Sequence, residues 1–185
     1  MHIEAINQEF VILSQEEAVR FHRKRQRHWN ILSICNHRKT APVEFPNARK
    51  IKRLWFDDVE GDFPEDGQFA ATANDIKIAI AFSQDVEHEP LLVHCYGGIS
   101  RSTAIAWLII YDKLKPRRDA VRRAFDIVRE LRPIMEPNRH ILRLGITVLA
   151  LERARKTITR QFDLCLAELP GAGWAAAPLA GPEPG

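Results

Sequence analysis

Nine consecutive residues, His94-Cys95-Tyr96-Gly97-Gly98-Ile99-Ser100-Arg101-Ser102, carry the chemistry of this chain. They join the apolar run Pro90–Cys95 directly to a helical pattern that begins at Ser102. A bend between a buried strand and a helix aims a row of backbone N–H groups into its hollow. There they add to the positive end of the helix dipole and make a pocket for a dianionic phosphoryl group. Gly97 and Gly98 are expected to let the chain curl tightly, because glycine takes positive φ at no steric cost. A thiol at the head of such a loop sits in the same field, so Cys95 is expected to favour the thiolate, the nucleophilic form. Arg101 closes the loop. Its planar fork can hold two phosphoryl oxygens and follow them as they spread in a transition state, which the point charge of a lysine matches only in part.

The segment resembles Cys-x-x-Gly-x-x-Arg-Ser, the active-site signature of the cysteine-dependent protein tyrosine and dual-specificity phosphatases. The likeness extends over residues 29–150, including Arg132-Pro133 followed by Pro137-Asn138 and an apolar helix. Across these residues the pattern is similar to that of small bacterial predicted protein tyrosine phosphatases. The resemblance implies a four-stranded parallel sheet and attack by cysteine on phosphorus to give a phosphocysteine intermediate. It assigns Cys95 as the nucleophile, Arg101 as the phosphate clamp and Ser102 as a hydroxyl that helps the sulfur leave. Tyr96, Gly97, Gly98, Ile99 and Ser100, with Arg101, would line the phosphate, and His94 would order the loop. His94 is therefore not the base of a papain-like pair.

Loss of an alkoxide or phenolate needs a proton from a carboxylic acid, which can later activate water. The family takes that acid from the loop after the strand that precedes the signature. Asp57 and Asp58 lie 38 and 37 positions before Cys95 and both qualify by distance. Aligning Leu54-Trp55-Phe56-Asp57-Asp58 with the family's strand end favours Asp58, with Asp57 the alternative. Asp62 and Asp66 are more remote candidates. No cofactor or metal is implied, because the histidines show no metal-ligand spacing.

The signature also sorts substrates. Phosphoinositide phosphatases carry extra lysines inside this loop, whereas here it holds Tyr96, Gly97, Ile99 and Ser100, so multiply phosphorylated lipids are disfavoured. No stretch resembles the phosphotyrosine-gripping loop of the large tyrosine-specific enzymes. Phosphotyrosine is then the first expectation, with phosphoserine and phosphothreonine also admitted. Two other classes stay open at this point: a phosphoprotein-binding module with little turnover, and an anion-loop sulfurtransferase or arsenate reductase.

Positioning these residues requires a fold of alternating strands and helices. Ser14-Gln15-Glu16-Glu17 has capping-box spacing, which predicts a helix running to about Arg25. Trp29–Cys35, Lys52–Asp58 and Pro90–Cys95 read as strands, the last buried on both faces. His37–Pro46 reads as loop. Phe69, Ala73, Ile76 and Ile80 repeat at helical spacing. After the signature, helices are predicted over Ser102–Lys113 and over Pro116–Leu131 with Pro116 in the first turn. Ala120, Ala124, Phe125, Val128 and Leu131 form the buried stripe of the second helix. Pro137 then opens a helix whose Ile141, Leu142, Gly145, Ile146 and Leu149 face the core. The simplest assembly is an α/β domain with a small, mainly parallel sheet of about four strands, flanked by helices, with a helical C-terminal half. Residues 1–168 read as one phosphatase domain. Pro170–Gly185, rich in Pro, Ala and Gly with only Glu183 charged, makes 169–185 a flexible tail.

Composition agrees with one globular domain. The chain has 185 residues, 45% of them hydrophobic and 28% charged, with a net charge of +3. No apolar stretch approaches the ~20 residues needed to cross a bilayer, and Met1-His2-Ile3-Glu4 does not begin a basic-then-apolar leader, so a cytoplasmic setting is expected. Cys35, Cys95 and Cys165 are too few and scattered for a disulfide framework. Cys35 and Cys165 read as small core residues, with trapping of an oxidised Cys95 as a second role. Trp55, Phe56 and Trp107 read as packing, and Trp55 or Phe56 could also flank the pocket. Basic clusters at Arg20–Arg27 and at Arg117, Arg118, Arg122 and Arg123 read as solvated helix faces, because no stacking aromatics alternate with them as nucleic-acid binding would require.

Overall fold

The computed structural model describes residues 1–24, 28–36, 41–61, 64–150, 154–170 and 179. A five-stranded sheet with the order β1-β2-β5-β3-β4 divides the molecule. Its strands are β1 (His2–Ile3), β2 (Gln8–Ser14), β3 (Asn30–Cys35), β4 (Lys50–Trp55) and β5 (Leu91–Cys95). All neighbours run parallel except the short β1, which is antiparallel to β2. The central β5 is buried at all five positions, as its unbroken apolar run predicts.

Helix α1 (Gln15–Lys24) covers one face, over Ala18, Trp29, Ile31, Phe45 and Leu92. The other face carries α2 (Ala73–Asp85), α3 (Arg101–Leu114), α4 (Ala120–Leu131), α5 (Arg139–Leu149) and α6 (Arg155–Leu166) over the larger core. Helix α3 is buried along most of its length and lies at the centre of this layer. Its Trp107 ring sits 5.1 Å from Phe125 of α4 and 4.5 Å from Phe162 of α6, and its indole N–H donates to Val121 O at 3.2 Å. Helix α5 crosses α3 so closely that a Cβ on Gly145 would come within 2.2 Å of the Leu108 side chain. The C-terminal ends of β2, β3, β4 and β5 open on one edge, where an α/β sheet places its site.

The capping box appears as expected: Glu17 N–H donates to Ser14 Oγ at 3.2 Å and Ser14 N–H to Glu17 Oε2 at 2.7 Å. Several expectations need correction. Strands β1 and β2 precede that helix and raise the strand count to five. Phe10-Val11-Ile12-Leu13 shows no polar alternation because Phe10 and Ile12 face the larger core while Val11 and Leu13 pack under α1. Strand β4 ends at Trp55, and Phe56–Asp58 leave the sheet after Phe56 N–H pairs with Cys35 O. Phe69 lies outside α2, whose start is fixed by a Thr72–Asp75 capping box. Pro116 lies in a turn closed by Arg117 N–H on Leu114 O, and α4 begins at Ala120. Pro137 precedes Asn138, which caps α5 through Ile141 N–H. Parts of the predicted 37–46 loop, Asp62 and most of the 169–185 tail lie outside the described residues. Within that tail, Leu179 is buried and its N–H donates to Asp163 Oδ1 at 3.0 Å. Among the described residues no helix is long and apolar enough to cross a membrane.

Candidate active site

Cys95 ends β5, and the chain turns at once through Tyr96–Ser100 into α3. The Cys95 side chain is buried. Gly98 N–H donates to Cys95 Sγ at 3.2 Å, and Ser102 Oγ lies 3.3 Å from the same sulfur.

The loop carbonyls explain why its amides face inward. Tyr96 O accepts from Gln15 N–H at 3.1 Å, Gly98 O from Arg132 Nε at 3.0 Å, and Gly97 O from Arg132 Nη2 at 3.5 Å. Ile99 O accepts from Glu136 N–H at 3.0 Å and from the Thr103 hydroxyl. Ser100 O accepts from Ala104 N–H at 3.1 Å and Thr103 Oγ1 at 2.8 Å. A trans peptide points its C=O and the following N–H in opposite directions. Carbonyls held outward therefore turn the N–H groups of Gly97 to Arg101 into the hollow. Gly98 has φ +70°, and a Cβ there would fall 2.5 Å from Ser14 N. Gly97 needs no positive φ and has open space around it, so the expectation of two left-handed glycines holds only for Gly98.

Arg101 is almost fully buried on the first turn of α3. Its Nη1 donates to Asn36 Oδ1 at 2.7 Å and to Phe56 O at 2.9 Å, two groups just past the ends of β3 and β4. Nε has no hydrogen-bond partner among the described residues, and the nearest carboxylate oxygen, Asp58 Oδ2, is 3.7 Å away. A buried guanidinium N–H without an acceptor is costly unless the site receives one. An oxyanion held in the loop would supply it.

The two neighbouring aspartates part company here. Asp58 Oδ1 accepts from Ser100 Oγ at 2.7 Å and from Asn138 Nδ2 at 2.9 Å, which sets the carboxyl group on the loop between β5 and α3. Its Oδ2 is the oxygen that faces Arg101. Asp57 turns away, is buried, and accepts Phe69 N–H at 3.0 Å, while its own N–H donates to Phe69 O at 2.7 Å. Asp66 lies in an exposed turn.

His94 is buried on the opposite face of β5, 5.4 Å from the Phe45 ring. Burial, reinforced by the Arg53 charge, pushes its pKa down to about 4. Its Nδ1 lies 3.5 Å from Cys95 O, so Nδ1 carries the proton of the neutral ring. Strand alternation puts Cys35 on the α1-facing side with Ser33, to which it is bonded, while Cys95 shares the other side with Val93. Cys165 sits in α6, and burial raises its thiol to about 11. Cys35 and Cys95 thus project from opposite faces of the sheet, and all three cysteines are unpaired and buried. Tyr96 is 68% exposed and Trp55 is 40% exposed, whereas Phe56 is fully buried as packing.

The sequence reading assigned no role to Asn36, Asn138, Glu17 or Arg132, all of which touch the loop or its partners. Asn138 and Arg132 lie in the stretch that carried the family resemblance. Glu17 was legible only as a helix cap, and Asn36 carried no signal.

No protein-family model matches the sequence, and no curated protein matches it. Solved structures do share its shape. Human DUSP28 superposes with a TM-score of 0.55 at 16% identity, covering 80% of this chain and 90% of that one. The Yvh1 phosphatase domain from Chaetomium thermophilum gives a TM-score of 0.50 at 24% identity over 74% of this chain and 86% of its own. Tk-PTP in its active form gives 0.50 at 14% identity over 75% and 88%. The chain therefore has the tyrosine and dual-specificity phosphatase fold.

Proposed function

We propose that this protein is a protein phosphatase that hydrolyses phosphotyrosine monoesters, with phosphoserine and phosphothreonine as further substrates. The observation that carries the reading is one convergence around the Cys95 sulfur: an inward row of amides, a buried guanidinium with an unpaired N–H, and a carboxyl group bonded to the same loop. The shared fold supports it.

In the first step the Cys95 thiolate forms the S–P bond as the ester P–O bond breaks, and Asp58 gives its proton to the departing oxygen from Oδ2. Arg101 and the loop amides hold the equatorial oxygens as charge shifts across them. In the second step Asp58, now ionised, takes a proton from water whose oxygen attacks phosphorus. The S–P bond breaks, and the Ser102 hydroxyl donates to the leaving thiolate. The sum is monoester plus water giving alcohol or phenol plus phosphate. The reduced, unpaired cysteines suit a cytoplasmic setting.

Release of p-nitrophenol from p-nitrophenyl phosphate by the wild-type chain, its loss in Cys95→Ser, and retained phosphate-ester binding by that variant are the expected results. Full turnover by Cys95→Ser would overturn the covalent route, and wild-type indifference to vanadate would overturn phosphoryl transfer.

A further inference from the structure

The Gly97–Gly98 peptide unit is held at both ends. Its N–H donates to Cys95 Sγ at 3.2 Å, and its C=O accepts from Arg132 Nη2 at 3.5 Å. The next carbonyl, Gly98 O, accepts from Arg132 Nε at 3.0 Å. Glycine peptides rotate easily, so a unit that must present N–H rather than C=O to an anion needs such a restraint. Arg132 directly follows α4, and its side chain is 14% exposed. Its remaining arm donates from Nη1 to Glu17 Oε1 at 3.1 Å, with Oε2 at 3.0 Å.

Glu17 belongs to the N-terminal segment, before residue 29, where the sequence resemblance begins. The segment reaches the loop because β2 pairs with β5 in a register that sets Ser14 opposite Cys95. Ser14 N–H fixes Glu17 Oε2 at 2.7 Å, and the adjoining Gln15 N–H takes Tyr96 O. Burial of the Glu17 carboxyl opposes ionisation, yet the bonds from Ser14 and Arg132 outweigh it and hold its pKa below the usual value.

We propose that Glu17 is a positioning residue for the phosphate loop and acts through Arg132, whose guanidinium it neutralises and holds on the Gly97 and Gly98 carbonyls. A half-buried guanidinium without its carboxylate gains by swinging into water. The two glycine carbonyls then lose their donors, and the peptide between the glycines is free to turn its oxygen toward the sulfur and the bound anion. Ser14, Gln15 and Glu17, where β2 passes into α1, are thus part of the loop's support.

The proposal rests on the phosphatase reading of this loop, and a double-variant cycle in the full chain separates the two. Orthovanadate affinity and kcat/KM for p-nitrophenyl phosphate are measured for wild type, Glu17→Gln, Arg132→Met and the double variant. A hydrogen bond to a charged group sets the scale, so each single variant should weaken vanadate binding about tenfold. The double variant should be no worse than Arg132→Met alone, because Glu17 has nothing left to act through. Losses that multiply overturn the proposal, as does vanadate affinity within about twofold of wild type in Glu17→Gln. Glu17→Gln is isosteric on a partly exposed side chain, so it decides the matter even where Arg132→Met folds poorly. A wild-type chain that neither binds vanadate nor turns over p-nitrophenyl phosphate overturns the phosphatase reading, and the positioning role falls with it.

Discussion

Asn138 Nδ2 donates to Asp58 Oδ1 at 2.9 Å, joining the first turn of α5 to the loop that follows β4. The same Nδ2 donates to Val59 O at 3.0 Å, while Oδ1 accepts Ile141 N–H at 3.0 Å as the helix cap. With Ser100 Oγ also on Asp58 Oδ1, that oxygen is committed to accepting two bonds, and an acidic proton belongs on Oδ2. In the proposed mechanism the pair thus decides which oxygen of Asp58 meets a leaving group.

Asn138→Ser tests this, because serine keeps an N-cap acceptor but is too short to reach Asp58. Turnover of phenyl phosphate, whose leaving oxygen needs a proton, should fall about tenfold, a fraction of what general acid catalysis supplies. Turnover of p-nitrophenyl phosphate should fall far less, because its leaving group departs readily as the anion. Equal losses on both substrates, at unchanged thermal stability, would assign Asn138 to the cap alone.

Asp58→Asn and Asp57→Asn should behave differently. The first removes the proposed proton donor and should cut phenyl phosphate turnover by about two orders of magnitude. The second weakens a buried acceptor for Phe69 N–H and should cost about 1 kcal/mol in denaturant unfolding with little change in leaving-group dependence. The opposite pattern, with the leaving-group effect at Asp57, would move the acid by one residue.

Asn36 Oδ1 and Phe56 O share Arg101 Nη1, while Nε has no partner among the described residues. Asn36→Ala keeps the backbone acceptor and removes the side-chain one, so Arg101 should lose its fixed rotamer. Vanadate binding should weaken about tenfold, the worth of one charge-assisted bond. Arg101→Lys should be worse, because it replaces a fork with a point charge. Isothermal titration with vanadate reads both, and an Asn36→Ala affinity equal to wild type would count against the role.

What the sequence revealed of this site was local. Cys95 to Ser102 form one continuous strand-loop-helix passage, and Ser14 and Glu17 meet within a single turn, so spacing alone exposes them. Asp57 and Asp58 both qualified by distance from Cys95, and aligning the strand end with the family favoured Asp58; its bonds to Ser100 and Asn138 now set it on the loop while Asp57 turns to Phe69. Asn36 meets Arg101 across 65 residues and Glu17 meets Arg132 across 115, and pairs so remote leave no periodic trace. Strand β2 escaped notice for a different reason. Its Phe10-Val11-Ile12-Leu13 run is covered on both faces like that of β5, but it stands directly before the Ser14–Glu17 capping box, whose helix signal dominates the segment.

Acid should unfold this protein partly through His94. The ring is buried against Phe45, and its Nε2 has no hydrogen-bond partner among the described residues. Burial holds its native pKa at about 4, below the ordinary value of 6.5. Between those values the unfolded chain takes up a proton that the native ring refuses, so stability is full above about pH 6.5 and falls as the pH approaches 4. The difference corresponds to about 3 kcal/mol once the pH is below both. His22, also buried and lowered chiefly by burial, adds to the wild-type slope, so the contribution of His94 must be read by difference. Urea unfolding of wild type and His94→Gln at pH 7.5 and pH 4.5 measures it. The variant costs stability at pH 7.5 through altered packing, but it should lose less than wild type on acidification. Parallel losses in the two chains would show that the buried imidazole does not carry the acid sensitivity.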